Sequence, residues 1–346
     1  MIPKTLEEIA SYIVKDGKGI LAADESTGTI EKRFKSIDVG STEDNRRKYR
    51  EMLFRSPAMA EAIGGVILFD ETLRQKAQDG SYLRDVILSH GSLPGIKVDQ
   101  GVKELEDNPN EKITTGLDGL NERCREYDTL GAKFTKWRAV INIGNGIPSA
   151  KCINENMLAL SEYALIAQEN NMVPIVEPEV IMDGPHTIDQ CYDVTKNTLS
   201  VLFEMLDKKN INIRGTLLKP NMVVSGTENS HQANYKEVAE KTLDCLNSSV
   251  PDELPGIVFL SGGQSDIDAT AHLDEMNKIG GFKWKLSFSY GRALQQAALK
   301  AWSGNDSNLE HAQKAFGHRA IMNMKASLGE WSLSLIHISE PTRHES

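Results

Sequence analysis

The chain has 346 residues, of which 40% are hydrophobic and 25% are charged, and its formal net charge is -10. This composition is typical of a protein with a packed core. The acidic balance excludes nucleic acid as the main partner, because binding a phosphate backbone requires a basic surface. No stretch approaches the roughly 18 consecutive apolar residues of a membrane-spanning helix, so no membrane span is expected.

The four cysteines are widely spaced and form no CxxC pair, which favours reduced thiols over disulfides or a zinc site. They are Cys124, Cys152, Cys191 and Cys245. The N-terminal stretch MIPKTLEEIASYIV carries charges among its apolar residues, unlike a secretory signal. We therefore expect a cytoplasmic protein.

Eight short apolar runs follow one another along the chain. In order they are GILAAD near residue 20, GGVILF at 64, GIKVD at 95, AKFTKWRAVINI at 132, MVPIVEPEV at 172, GTLLKP at 215, GIVFLSGG at 256 and KLSFSYG at 285. The stretches between them, such as 154–168 and 189–206, repeat apolar residues at helical spacing. Continuous apolar strands that alternate with helices are typical of a parallel sheet covered by helices.

Eight such units fit a closed (β/α)₈ barrel better than an open doubly wound sheet. No GxGxxG motif follows the first run, as a dinucleotide-binding fold would require. No Pro/Gly/Ser-rich linker divides the chain. The sequence therefore predicts an α/β fold, a single-domain (β/α)₈ TIM barrel over residues 1–331.

Reactive side chains stand at the ends of most of these runs. They are Asp24, Lys97, Lys136, Glu177, Glu179, Lys219, Ser261 and Arg292. One charged residue after a strand can simply mark the point where the strand meets solvent. In a barrel of this kind, however, the carboxyl ends of the strands converge on one mouth, where active sites are built.

Lys219 is a candidate nucleophile. It follows Thr216-Leu217-Leu218 and precedes Pro220, a stiff apolar setting. Apolar walls and a second cation, which Lys136 offers, favour the neutral amine that attacks a carbonyl. The alternative interpretation is that Lys219 caps a strand or binds an anion.

Glu177 and Glu179 lie two residues apart, so a continuing strand would turn both carboxylates to the same side. Pairing would raise the pKa of one of them and provide an acid and a base, as carbinolamine chemistry requires. Alternatively, they are counter-ions that hold Lys136 and Lys219. The two roles are compatible.

Glycine turns after the last two strands predict a phosphate site. One turn contains Ser261, Gly262 and Gly263, and the other contains Ser289 and Gly291 followed by Arg292. A second group, Ser26, Thr29, Arg33 and Lys97 with Arg46 as a further candidate, could hold another phosphate. A substrate with a phosphate at each end would use both groups.

From about Thr5 to Gly329 the chain resembles a class I (Schiff-base) fructose-1,6-bisphosphate aldolase. The resemblance is carried by KGILAADESTGTIEKRF, NRRKYR, GGVILFDETL, GIKVDQG, TTGLDGLNERC, GAKFTKWRAV, VPIVEPE, GTLLKPNMV, FLSGGQS and SYGRALQQAALKAW. It implies reversible cleavage of fructose 1,6-bisphosphate into dihydroxyacetone phosphate and glyceraldehyde 3-phosphate, a step of glycolysis and gluconeogenesis. It also implies no metal or other cofactor, and a homotetramer.

The resemblance implies a role for each matched residue. Lys219 forms the imine and Glu177 is the general acid/base. Glu179 and Lys136 assist carbinolamine chemistry, and Asp24 accepts the proton of the C4 hydroxyl or assists its loss. The expected substrate-binding residues are Ser26, Thr29, Arg33, Arg46, Lys97, Arg138, Ser261, Gly262, Gly263, Ser289, Gly291 and Arg292.

The last residues depart from the family pattern. Family chains continue into a tail that ends in tyrosine, whereas SLSLIHISEPTRHES follows Trp331 here and contains no tyrosine. Residues 332–346 are therefore interpreted as an atypical tail, either non-native, like translated vector sequence, or disordered. If this tail is genuine, we expect carbon–carbon cleavage to survive and protonation of the enamine to slow.

Two other functions remain open. One is a different imine-forming barrel, such as a sedoheptulose bisphosphate or deoxyribose phosphate aldolase, although two phosphate groups favour a bisphosphate. The other is a binding scaffold on this fold, with cytoskeletal partners. A metal-dependent aldolase is disfavoured, because the histidines His186, His231 and His272 are scattered.

Overall fold

The computed structural model describes residues 3–335 and has eight parallel strands closed into a barrel in the order β1-β10-β9-β8-β7-β6-β3-β2. The barrel strands are β1 (Gly19–Ala23), β2 (Ile63–Leu68), β3 (Leu93–Lys97), β6 (Phe134–Ile141), β7 (Val173–Val180), β8 (Leu217–Leu218), β9 (Gly256–Phe259) and β10 (Lys285–Tyr290). Each predicted apolar run overlaps one of them. The prediction of a single (β/α)₈ barrel is confirmed.

Helices connect the strands and cover the outside of the barrel. They are α1 (Leu6–Ile13), α2 (Thr27–Lys35), α3 (Glu43–Phe54), α4 (Ala58–Ala62), α5 (Asp70–Arg74), α6 (Leu83–Ser89), α7 (Leu120–Thr129), α8 (Ala150–Glu169), α9 (Ile188–Lys208), α10 (Tyr235–Asn247), α11 (Asp266–Ile279), α12 (Arg292–Trp302) and α13 (Leu309–Ser327). Several begin at a residue whose side chain accepts a hydrogen bond from the first turn. Thr187, for example, forms a capping box with Gln190 at the start of α9.

Alternate residues of each barrel strand belong to different cores, as the two-residue period of a strand requires. In β1, Ile20 and Ala22 join the cluster inside the barrel, whereas Leu21 and Ala23 join the larger cluster between barrel and helices. Every residue of β1 is buried. This explains why the strands appear in the sequence as unbroken apolar runs.

The amino-terminal end of the barrel is closed by side chains. Phe134 is fully buried in the inner cluster, which also takes Ile9 and Ile13 from α1. A Cβ atom on Gly95 would lie only 2.3 Å from the Phe134 ring, so the absence of a side chain makes room for that ring. With this end filled, the carboxyl ends of the strands are left to form a cavity.

A short antiparallel hairpin interrupts the barrel pattern after β3. Its strands are β4 (Val102–Leu105) and β5 (Asn108–Thr114), which pair with each other and not with the barrel. The sequence interpretation did not predict this hairpin. Its first strand is mostly exposed and carries Lys103 and Glu104, so it lacks the apolar signal of a barrel strand.

The four cysteines are buried free thiols, as predicted. Across residues 3–335, no helix is long and apolar enough to cross a membrane. The prediction for the tail, 332–346, falls mainly on residues 336–346, which lie outside the described residues.

Candidate active site

A cavity of about 1430 Å³ opens at the carboxyl ends of the barrel strands. Its wall includes sixteen of the seventeen residues that the sequence singled out: Asp24, Ser26, Thr29, Arg33, Lys97, Lys136, Arg138, Glu177, Glu179, Lys219, Ser261, Gly262, Gly263, Ser289, Gly291 and Arg292. Only Arg46 is absent from it. Residues that are far apart in the chain therefore meet in one site.

Lys219 is held at the end of β8 against the neighbouring strand β7. Its backbone N–H donates to the carbonyl of Val176 at 2.9 Å, which continues the pairing of the two strands. The residue is 5% exposed, and its Nζ lies 3.2 Å from Oε1 of Glu177. A buried amine therefore stands next to a carboxylate that can take or return its proton.

Lys136 lies at the centre of a group of carboxylates. Its Nζ is 2.8 Å from Oδ2 of Asp24 and 3.5 Å from Oε2 of Glu177. Burial alone would lower the pKa of Lys136, but Asp24 and Glu177 outweigh it and raise that pKa above its ordinary value. Lys136 is therefore a cation throughout the ordinary pH range.

Asp24 follows β1 and forms the other half of this pair. Burial alone would raise the pKa of its carboxyl, but the nearby ammonium groups of Lys136 and Lys219 outweigh burial and lower the pKa to about 2. Asp24 is therefore ionised at neutral pH and can accept a hydrogen bond from a hydroxyl group.

Glu177 and Glu179 both belong to β7, and both line the cavity, as their two-residue spacing predicts. Glu177 contacts the two lysines, whereas Glu179 accepts a hydrogen bond from Nε of Arg138 on β6. Glu177 is thus paired with lysines and Glu179 with an arginine. Within the described part of the chain, Oε2 of Glu177 has no hydrogen-bond partner.

The glycine turns after β9 and β10 lie side by side in the cavity. Gly262 and Gly263 have φ angles of +56° and +96°, which side chains rarely adopt. A guanidinium nitrogen of Arg292, at the start of α12, comes within 3.7 Å of the position of a Cβ on Gly263. The buried Oγ of Ser289 has no hydrogen-bond partner among residues 3–335. These groups provide donors for an anion.

The second group of candidate phosphate-binding residues includes the start of α2. The Oγ of Ser26 lies 3.1 Å from Oγ1 of Thr29, and Lys97 faces the same cavity from the end of β3. Arg33 donates a hydrogen bond to Glu25, and its Nη2 lies 3.6 Å from the position of a Cβ on Gly291. Arg33 thus sits beside the glycine turn of the first group as well.

Arg46 lies apart from the residues that line the cavity. Its guanidinium donates to both carboxylate oxygens of Glu71, at 2.9 Å and 2.5 Å, and to the carbonyl of Ser41. This fork-to-fork pair occupies the donors that a phosphate would need. The pairing supports a structural role for Arg46.

Sequence reasoning missed two buried carboxylates at this site, Glu25 and Asp99. Asp99 binds Lys97 and Glu25 binds Arg33. Both stand within segments that carry the family resemblance, directly after Asp24 and two residues after Lys97, and this position was the one signal that the sequence offered. Among residues 3–335, no group of three or more His, Cys, Asp and Glu residues is arranged to hold a metal ion.

Comparison with known proteins gives a consistent set of relatives. The family described as fructose-bisphosphate aldolase class-I matches residues 5–343. A protein of Xanthomonas axonopodis pv. citri, named “Probable fructose-bisphosphate aldolase class 1”, is 54% identical over 94% of this chain and 98% of its own length. “Fructose-bisphosphate aldolase 4, cytosolic” of Arabidopsis thaliana is 51% identical over 95% of this chain and 84% of its own.

A solved structure shares both fold and sequence. Fructose-bisphosphate aldolase from Plasmodium falciparum, in a complex with TRAP and a small-molecule inhibitor, superposes with a TM-score of 0.93. It is 44% identical, and the match covers 94% of this chain and 95% of that one. The chain therefore belongs to the class I fructose-bisphosphate aldolase family.

Proposed function

We propose that this protein reversibly cleaves fructose 1,6-bisphosphate into dihydroxyacetone phosphate and glyceraldehyde 3-phosphate through an imine on Lys219. The observation that carries the proposal is the buried Lys219 amine, 3.2 Å from Glu177 in a cavity that both groups of anion-binding residues also line. Membership of the class I family supports both the reaction and its Schiff-base mechanism.

The first half of the reaction joins substrate and enzyme. Lys219 transfers a proton to Glu177, and the neutral amine attacks the C2 carbonyl of the open-chain ketose. Glu177 then returns a proton to the carbinolamine oxygen, which leaves as water, and the C2–N bond becomes an iminium. Glu179, held by Arg138, assists this exchange from the same strand.

The second half breaks the C3–C4 bond. Glu177, ionised again after it has protonated the leaving water, takes the proton of the C4 hydroxyl. A C4 carbonyl forms, and the electron pair of the C3–C4 bond moves into the iminium to give an enamine. A carboxylate whose pKa is about 2 is a weak base, so Asp24 fits the assisting role, orienting the C4 hydroxyl. The enamine then takes a proton at C3, and water releases the second product.

The remaining residues bind the two phosphates. The glycine turns with Arg292 receive one, and Ser26, Thr29 and Lys97 receive the other, while Arg33 lies between the two groups. Two such groups in one cavity with Lys219 fit a substrate that carries two phosphates. This chemistry needs no metal or other cofactor, since the iminium takes up the electrons.

The proposal also covers the cellular compartment and the oligomeric state of the protein. The name of the Arabidopsis relative places that protein in the cytosol, and the free thiols fit a reducing compartment. We propose a cytoplasmic homotetramer, with no nucleic-acid or membrane partner, on the basis of family membership. Size-exclusion chromatography with light scattering would show whether four copies assemble.

Borohydride reduction in the presence of dihydroxyacetone phosphate tests the imine directly. We expect a stable adduct on Lys219, found by peptide mass spectrometry and unaffected by EDTA. The Lys219→Met variant should give no adduct, whereas Lys112→Met, at the rim of the same cavity, should give a normal one. A folded wild-type protein without an adduct would contradict the proposal and favour a non-catalytic scaffold, for instance for cytoskeletal proteins.

The choice of substrate needs a separate measurement. The steady-state rate of cleavage should be far higher with fructose 1,6-bisphosphate than with deoxyribose 5-phosphate. The second compound carries a single phosphate, so it leaves one of the two groups of phosphate-binding residues without a ligand. Sedoheptulose 1,7-bisphosphate carries both phosphates and is the closer competitor. If deoxyribose 5-phosphate were cleaved faster, the assignment of two phosphate sites would be wrong.

A further inference from the structure

Asp99 is a buried carboxylate that the mechanism above does not use. It lies two residues after the end of β3, lines the active-site cavity, and is 9% exposed. A carboxylate in such a place is costly unless its charge is compensated. Its partners therefore indicate what it does.

The first partner of Asp99 is Lys97. Oδ1 of Asp99 lies 2.6 Å from the Lys97 Nζ, and the backbone carbonyl of Asp99 accepts a hydrogen bond from the same Nζ at 2.7 Å. Two of the three ammonium donors are thus directed to one residue. The ammonium group is thereby held in one position at the cavity wall, and a flexible four-carbon side chain becomes a fixed charge.

The second partner of Asp99 is Lys136. Oδ2 of Asp99 lies 3.8 Å from the Lys136 Nζ and 3.4 Å from the backbone nitrogen of Arg138. Lys97 and Lys136 are register partners on the adjacent strands β3 and β6. One carboxylate therefore spans the ammonium groups of two neighbouring lysines.

The backbone around Asp99 fixes the carboxylate itself. Val98 donates a hydrogen bond to the carbonyl of Lys136 at 3.0 Å, which extends the pairing of β3 with β6 by one residue. The amide of Gly101 lies 3.4 Å from Oδ1 of Asp99. Asp99 is therefore held rigidly relative to both lysines.

We propose that Asp99 is a positioning residue that aligns Lys97 for one substrate phosphate and Lys136 for the chemistry at the imine. This inference rests on the proposed aldolase function. Because Asp99 acts through two lysines with different tasks, its loss should affect substrate binding and turnover separately. A residue that merely stabilised the fold would not divide its effects in this way.

The test compares Asp99→Asn with the wild type, using fructose 1,6-bisphosphate, fructose 1-phosphate and fructose 6-phosphate. We expect KM for the bisphosphate to rise about tenfold, and KM for only one of the two monophosphates to rise with it. The value of kcat should fall about tenfold with every substrate, because Lys136 loses a partner. Asp99→Glu, which keeps the charge, should recover most of kcat.

A double variant separates an effect through Lys97 from a general loss of charge. In a Lys97→Gln background, Asp99→Asn should leave KM unchanged, because the lysine that it positions is gone. Asp183→Asn, which removes an exposed carboxylate at the same cavity, is the matched control and should leave both constants within about twofold of wild type.

Three results would overturn the inference: an Asp99→Asn enzyme with both constants within about twofold of wild type, equal increases in KM for both monophosphates, or an unchanged KM effect in the Lys97→Gln background. If Asp99→Asn does not fold, Asp99→Ser is subject to the same criteria. A wild-type protein without cleavage activity would instead contradict the proposed function, so the two failures are distinguishable.

Discussion

Glu177 contacts two lysines at once, with Oε1 3.2 Å from the Nζ of Lys219 and Oε2 3.5 Å from the Nζ of Lys136. The three side chains come from the adjacent strands β6, β7 and β8. A single carboxylate can therefore exchange a proton with Lys219, the proposed nucleophile, while Lys136 keeps the site cationic. Removing the charge of Glu177 should affect proton transfer more than binding.

Glu177→Gln should lower kcat by about a hundredfold to ten-thousandfold, since it removes a general acid/base and keeps the shape of the side chain. Stopped-flow trapping of the imine with dihydroxyacetone phosphate would show whether the affected step is carbinolamine formation and dehydration. KM should change far less than kcat.

Glu179→Gln is the matched comparison, because Glu179 lies on the same strand but pairs with Arg138. Its effect on the rate of imine formation should be about tenfold. Equal losses in the two variants would show that Glu177 has no special role in proton transfer.

The lowered pKa of Asp24 predicts a dependence of stability on pH. Its pKa falls from 3.8 to about 2 in the folded protein, where Lys136 and Lys219 face it. The folded state then gains about 2 kcal/mol at pH values above the unfolded pKa, and loses this gain as pH falls from about 4 towards about 2. Urea unfolding of wild type and Asp24→Asn should therefore differ most near neutral pH.

At pH 3, the difference between the unfolding free energies of wild type and Asp24→Asn should be about half of its value at neutral pH. Asp183→Asn, which changes an exposed carboxyl, is the control and should leave the free energy of unfolding at neutral pH within about 0.5 kcal/mol of wild type. A gap that stayed constant from pH 6 to pH 3 would mean that the ion pair with Lys136 does not stabilise the fold.

The barrel could be predicted from the sequence because its strands are buried on both faces. GGVILF and VPIVEPE show no strict alternation of apolar and polar residues of the kind that marks a half-exposed strand. Every residue of the corresponding strands β2 and β7 is buried. The hairpin of β4 and β5 could not be predicted in this way. Its stability comes from pairing and from contacts such as that of Asn156 with the carbonyl of Lys112 on β5, which are remote in the chain.

The site was predictable where a strand end fixes a residue, and less so elsewhere. Lys219 and Glu177 follow directly from their strands, whereas the partner of a charged group depends on the distance between loops. Asp99 was not singled out in the sequence, because its ion pairs with Lys97 and Lys136 depend on how the ends of β3 and β6 meet in the fold. Arg46 is a candidate phosphate ligand by sequence, whereas in the structure its guanidinium donates to Glu71, a partner that the sequence did not indicate.

Variants of Arg33 and Arg46 test which of these two arginines binds a substrate phosphate. Arg33→Gln should raise KM for fructose 1,6-bisphosphate about tenfold, because its guanidinium lines the cavity beside Gly291. Arg46→Gln breaks a largely buried pair with Glu71 and should lower the free energy of unfolding by about 1–3 kcal/mol, with a smaller effect on KM. Urea titration and steady-state kinetics on both variants provide the comparison. If Arg46→Gln raised KM as much as Arg33→Gln did, while its stability stayed at the wild-type value, Arg46 would be a phosphate ligand and its pairing with Glu71 would have to open during binding.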